Sequence, residues 1–264
     1  GKRTEADVNH PGGRAVGGKF VVLEPSKEVW PSVLARSAGR LGDSARAQGD
    51  PDAALEPYRH GLALDQKISA AAPADSNRRR AVSIARRKIG DLLVQKKDLS
   101  GALASYHAAL DLSLALTADF PANAQWKNDV LLLYRDLGDT QRAQGDFPAA
   151  LGEYSRGLAL ARPLLAEQPA NTDWMIGVLL FQIDNADILT AQHDLDDALA
   201  ARREVVDPSQ KPARVYGNAT GWQIALAKAE VAVGDLFALC HDSPAAQPFY
   251  RETSGLCRDI EPER

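Results

Sequence analysis

The sequence predicts an all-α fold, a right-handed α-solenoid of five antiparallel helical hairpins, and three periodic features carry that expectation. A Gly-Asp pair recurs every 48 residues at Gly42-Asp43, Gly90-Asp91, Gly138-Asp139 and Gly234-Asp235, with Ala186-Asp187 in the remaining slot. Proline keeps the same period at Pro25, Pro73, Pro121 and Pro169, and tryptophan at Trp30, Trp126, Trp174 and Trp222, with Arg78 interrupting the series. Tyrosine does so at Tyr58, Tyr106, Tyr154 and Tyr250, where Arg202 departs. A fixed period of this length marks stacked supersecondary units, each covering its neighbour's apolar face. Units 25–72, 73–120, 121–168, 169–216 and 217–264 tile the chain. Residues 1–24 read as a glycine-rich linker or the tail of an upstream segment, extended at Phe20-Val21-Val22-Leu23.

Within a unit the elements follow in order, and the third serves as the example. Asn123 is placed to cap a first helix, A, of about 20 residues, whose Trp126, Val130, Leu133, Tyr134 and Leu137 fall at helical spacing on one face. Gln144-Gly145-Asp146 ends it, because glycine accepts the left-handed conformation that closes a helix. Phe147-Pro148 then opens helix B, with proline in the tolerated first turn, and Ala150, Leu151, Tyr154, Leu158 and Leu165 run on toward Pro169. Gly138, Ala150 and Gly157 are small where the two helices must approach. Trp126 and Tyr154 recur in register and are therefore expected in the core rather than in a ligand site. The fourth unit is irregular: Pro208 and Pro212 are expected to end its second helix near Val206 and leave a loop over 207–220.

Leu-Gly-Asp, Ala-Gln-Gly-Asp, Ala-Ala-Leu, the tyrosine and the terminal proline together resemble the tetratricopeptide repeat, a helix-turn-helix unit of about 34 residues. The resemblance covers residues 25–264 and departs in period, the longer unit adding about two turns to each helix. It implies that the A helices line a concave surface and the B helices a convex one. Similar long-unit arrays accompany effector or enzymatic domains in multidomain bacterial proteins.

Composition narrows the function. A net charge of −4 and a pI near 5.8 argue against a nucleic-acid partner, and no apolar run reaches the roughly 18–20 residues of a membrane span. Cys240 and Cys257, on opposite arms of one expected hairpin, are read as free thiols suited to a cytoplasmic location. Gly13 to Lys19 has the spacing of a phosphate-binding loop, but Phe20 stands where Ser or Thr is needed. The five histidines share no register and form no i,i+4 pair, so no metal or other cofactor is expected; no nucleophile-elbow sequence appears and Asp43, Asp91, Asp139, Asp187 and Asp235 are too regularly spaced for a catalytic pair, so no enzyme is expected.

In an array the shared residues build the scaffold, so specific function is sought where the units differ. One groove-facing register reads Arg40, Lys88, Asp136, Asp184 and Ala232, and a second reads Gly39, Arg87, Arg135, Ile183 and Val231. With Arg36, Arg46, Arg80 and Arg142, the first half is basic and the second acidic, then apolar. The basic end suits an acidic or carboxylate-bearing peptide through charge-assisted arginine contacts. The alternative for the same side chains is a solvated face with i,i+4 pairs from Arg87 to Asp91 and Arg135 to Asp139. The expected function is a non-catalytic protein–protein interaction module that holds a peptide or protein segment in its concave groove. The alternative is a regulatory arm of a larger multidomain effector enzyme, docked on a domain of the same polypeptide. Self-association through the open repeat ends is a further route, although the polar last helix is suited to cap its own end.

Overall fold

The computed structural model describes residues 29–169, 171–192, 194, 196–200, 220–239 and 243–260. Nine helices are named here: α1 Val29–Ala47, α2 Pro51–Ala71, α3 Ser76–Gln95, α4 Leu99–Asp119, α5 Ala124–Gln144, α6 Phe147–Glu167, α7 Thr172–Ala191, α8 Thr220–Leu239 and α9 Ser243–Ile260. Residues 196–200 are helical as well. Pairs α1–α2, α3–α4, α5–α6 and α8–α9 form hairpins, and α2 packs on α3, α4 on α5, and α6 on α7. Each helix thus meets the ones before and after it, which is the tandem order of a solenoid. The linker 1–24, most of the loop expected over 207–220, and the side chains of Cys240 and Cys257 lie outside the described residues.

Caps set the boundaries. Asp75, Asn123 and Asn171 accept from the first backbone N–H groups of α3, α5 and α7, and Asp50, Asp98 and Asp146 do the same for α2, α4 and α6. Such a cap contributes about 1 kcal/mol. Between the arms of a hairpin one residue must turn left-handed: Gly49 at φ 77° and Gly145 at φ 83° do so freely, and Lys97 at φ 64° occupies the equivalent place in the second unit.

The Gly-Asp pair and the tyrosine prove to be one device. A Cβ added to Gly42, Gly90, Gly138 or Gly234 would strike the ring of Tyr58, Tyr106, Tyr154 or Tyr250 respectively. The ring packs directly against the glycine, and its hydroxyl donates to the next residue, Asp43 at 2.5 Å, Asp91 at 2.8 Å, Asp139 at 2.7 Å or Asp235 at 2.9 Å. Each bond fastens helix B to helix A across 15 residues. Around these locks Leu92, Leu133 and Leu137 fill one buried cluster, and Trp174, Val178 and Phe181 another, with Phe181 against Gly157. Trp126 and Tyr154 are buried, as their periodicity predicts.

The two ends of the array differ. On α1, Trp30 (51% exposed), Leu34 (51%) and Leu41 (64%) stand in the registers that are buried as Trp126, Val130 and Leu137 on α5. On α9, by contrast, the registers of Leu55 and Leu62 hold Gln247 and Ser254. The first end keeps an interior surface; the last presents a polar one.

Candidate functional site

Helices α1, α3, α5 and α7 form one layer, and one register of α3, α5 and α7 places apolar side chains at partly solvent-exposed positions. It reads Ile84, Leu132 and Leu180, one unit apart, with Ile84 and Leu132 each 37% exposed. Two clefts run along the same layer. The first, about 300 Å³, lies between α1, α3 and α5 and is lined by Ile84 and Leu132 beside Arg46, Arg87 and Asp129. The second, about 260 Å³, lies between α5 and α7 and is lined by Leu132, Ile176 and Leu180 beside Asn128 and Arg135. Apolar side chains at a fixed spacing, walled by charge, offer burial to a partner's apolar residues and register to its polar ones.

The walls are made of ion pairs between successive units. Arg80 binds Asp129 in a fork, Nε at 2.5 Å and Nη2 at 3.0 Å; Arg87 binds Asp136, and Arg135 Nε binds Asp184 at 2.9 Å. Each spans 49 residues, one period plus one. Farther along, Lys88 reaches back to Asp43 at 2.7 Å, and Arg142 lies 3.5 Å from Asp139 and 3.7 Å from Asp187. The i,i+4 pairs anticipated for Arg87 and Arg135 are replaced by these longer-range ones, because Asp91 and Asp139 accept from Tyr106 and Tyr154 instead. The sign change along the register of residues 40, 88, 136 and 184 is therefore a consequence of stacking: the base of one unit meets the acid of the next.

Electrostatics follow the geometry. Burial pushes the Asp136 and Asp184 carboxyls above the ordinary carboxylate range, and Arg87 and Arg135 oppose that push without cancelling it. Partial burial acts the same way on Asp43, but there hydrogen bonds from Lys88 and Tyr58 prevail and hold it below that range. Of the candidate cations, Arg80, Arg87, Lys88, Arg135 and Arg142 are thus engaged in holding units together, whereas Arg36 and Arg40 make no ion pair among the described residues. Residue-by-residue charge reading missed the apolar ladder, although aligning residues 84, 132 and 180 exposes it.

Among the described residues no group of three or more His, Cys, Asp or Glu is placed to hold a metal ion, and no helix is long and apolar enough to cross a membrane. The fold is that of a tetratricopeptide-like solenoid, a repeat array whose open A-helix layer forms the candidate site. No protein-family model matches the sequence, and no curated protein is significantly similar to it. Solved structures do match in fold. BtubC (BKLC) from P. vanneervenii superposes with a TM-score of 0.55 at 15% identity, over 89% of this chain and 95% of that one. A putative kinesin light chain of P. anserina with nearly identical TPR-like repeats gives 0.59 at 14% identity, over 88% and 99%. The Rap conjugation gene regulator of plasmid pLS20, in complex with the Phr* peptide, gives 0.51 at 12% identity, over 85% of this chain and 64% of the regulator.

Proposed function

We propose that this chain is a non-catalytic interaction module that binds a peptide or protein segment along its concave, A-helix layer. The observation that carries it is the apolar ladder of Ile84, Leu132 and Leu180, of which Ile84 and Leu132 stay 37% exposed and Leu180 is partly buried. A chain laid along the layer gains about 25 cal/mol per Å² of apolar surface removed from water, while the ion-pair walls supply polar partners at its flanks. Because most wall cations already hold an aspartate, recognition by general attraction to acidic sequences is weak, and apolar residues spaced to the ladder dominate. The fold it shares with a peptide-bound Rap regulator supports this function by likeness of shape.

The test is selection of binding peptides from a random displayed library, followed by Ile84→Asp and Leu132→Asp. Both positions are 37% exposed, so each variant should lose some thermal stability yet stay folded by circular dichroism, while affinity measured below the unfolding transition should fall at least tenfold. Peptides that bind both variants as well as the parent would remove the proposal. Docking of a neighbouring domain is the second function, favoured by the bare core register of Trp30, Leu34 and Leu41 on α1. In a longer polypeptide, Leu34→Asp with Leu41→Asp should then raise protease sensitivity at the junction; unchanged cleavage would exclude it.

A further inference from the structure

The first inter-unit junction is more open than the two that follow it. A cavity of about 500 Å³ lies between α1, α2 and α3. Aligning the units shows why. Its walls carry Arg78 where later units place Trp126 and Trp174, Ala85 where they place Leu133 and Phe181, and Gly39 where they place Arg87 and Arg135. The four bulky apolar equivalents are all buried. Three truncated or replaced side chains thus widen to about 500 Å³ a space that measures about 300 Å³ and 260 Å³ at the next two junctions. A volume of this size is that of a small-ligand pocket rather than a packing defect.

Its lining is chemically directed. Ile68, Leu62 and Ala81 make an apolar floor. Lys88 is satisfied by Asp43 and Arg78 by Asp75, which leaves Arg36 and Arg40 on the α1 wall without an ion pair among the described residues. Asp65 faces the cavity from α2, in the register held by Ser113 and Ala161 elsewhere. Partial burial raises its pKa, and no ion pair relieves it among the described residues. Two free guanidinium groups, an apolar floor and one opposed acceptor match a particular pattern: a carboxylate, an apolar side chain and an N–H on one small body.

We infer that the cavity between α1, α2 and α3 binds an apolar amino-acid carboxylate, either the free amino acid or the C-terminal residue of a chain. Arg36 and Arg40 hold the carboxylate, Asp65 accepts the N–H, and the side chain occupies the space vacated by Ala85. The site shares Ile84 with the first rung of the apolar ladder but not Leu132 or Leu180, and it stands whether or not the ladder binds peptides.

The experiment is calorimetric titration of the whole chain with leucine, N-acetyl-leucine and N-acetyl-leucine amide. N-acetyl-leucine or leucine should bind at least tenfold more tightly than the amide, which lacks the carboxylate. Comparable binding by free leucine identifies the free amino acid as the source; binding by N-acetyl-leucine alone identifies a chain end. Arg36→Gln with Arg40→Gln should reduce the affinity at least tenfold. Ala85→Leu, which restores the residue of the third unit, should abolish binding while raising the melting temperature. Leu132→Asp should leave binding unchanged, which separates this site from the ladder. Equal binding of acid and amide, no binding up to millimolar ligand, or full binding by Ala85→Leu would each overturn the inference.

Discussion

Replacing Gly138 by alanine tests the central packing device, because two helical glycines of the same hairpin predict opposite outcomes. A Cβ at position 138 would lie 2.6 Å from Tyr154 Cδ1 and 2.8 Å from Cζ, and closer still to Cε1. Carbon atoms at rest sit about 3.5–4.0 Å apart, so the ring must move by roughly 1 Å. It has nowhere to go: Tyr154 is wholly buried, and retreat lengthens its 2.7 Å bond to Asp139. Overpacking costs about 1–3 kcal/mol, and weakening a bond to a charged acceptor costs about 1.5–3 kcal/mol if it is lost. Alanine returns up to about 1 kcal/mol of helix propensity. The net expectation is a loss of about 2–4 kcal/mol. Gly152, also inside a helix, has nothing within 4 Å of its added Cβ, so Gly152→Ala should stabilise by about 0.5–1 kcal/mol. The assay is urea unfolding followed by both circular dichroism and tryptophan fluorescence, since a repeat array need not unfold in one step. The chain holds its own precedent: the unit with Ala186 in the glycine slot has Arg202 in the tyrosine slot. Tyr154→Ala should accordingly cost about 3–5 kcal/mol in the parent and much less on top of Gly138→Ala. A Gly138→Ala protein as stable as the parent would refute the lock.

Further outcomes follow from the same geometry. Arg135→Ala should destabilise by about 1–2 kcal/mol because it strands the buried Asp184, whereas Arg36→Ala should change stability by less than about 0.5 kcal/mol, both read from denaturant midpoints. Lys97→Gly should raise stability by about 1 kcal/mol by relieving a left-handed non-glycine residue, and a lower melting temperature would contradict the turn. Burial and then the paired aspartate hold the Tyr58 and Tyr154 hydroxyls well above the ordinary tyrosine range, and burial does the same for Tyr106 with Asp91. With folded values above unfolded ones, the stability these groups give is complete below about pH 10 and drains away as pH rises beyond it. Ultraviolet titration should therefore show three phenols that ionise only as helicity is lost; early ionisation of all tyrosines would exclude the bonds to aspartate.

Much of this protein is legible in its sequence because the code is local and repeated. The 48-residue period, the Asp and Asn caps, Gly145 in the left-handed turn and the burial of Trp126 and Tyr154 all follow from spacing and backbone chemistry within one unit. Even the covariation of glycine with tyrosine is visible before any coordinates. Local rules fail where partners belong to different units. Arg87 has Asp91 one helical turn away, and charge alone pairs them, yet stacking brings Asp136 closer while Tyr106 claims Asp91. The same holds for the hollow at the first junction, since Arg78, Gly39 and Ala85 are unremarkable singly and leave a cavity only when α1, α2 and α3 converge. Sequence by itself determined the unit and its helices, because those depend on spacing and backbone chemistry within one hairpin, whereas the bond from each tyrosine to its aspartate emerged only when the two helices were packed. Tertiary structure decided which charges are paired and which stay unpaired among the described residues, because pairing depends on the distance between hairpins, and only the superhelix sets that distance.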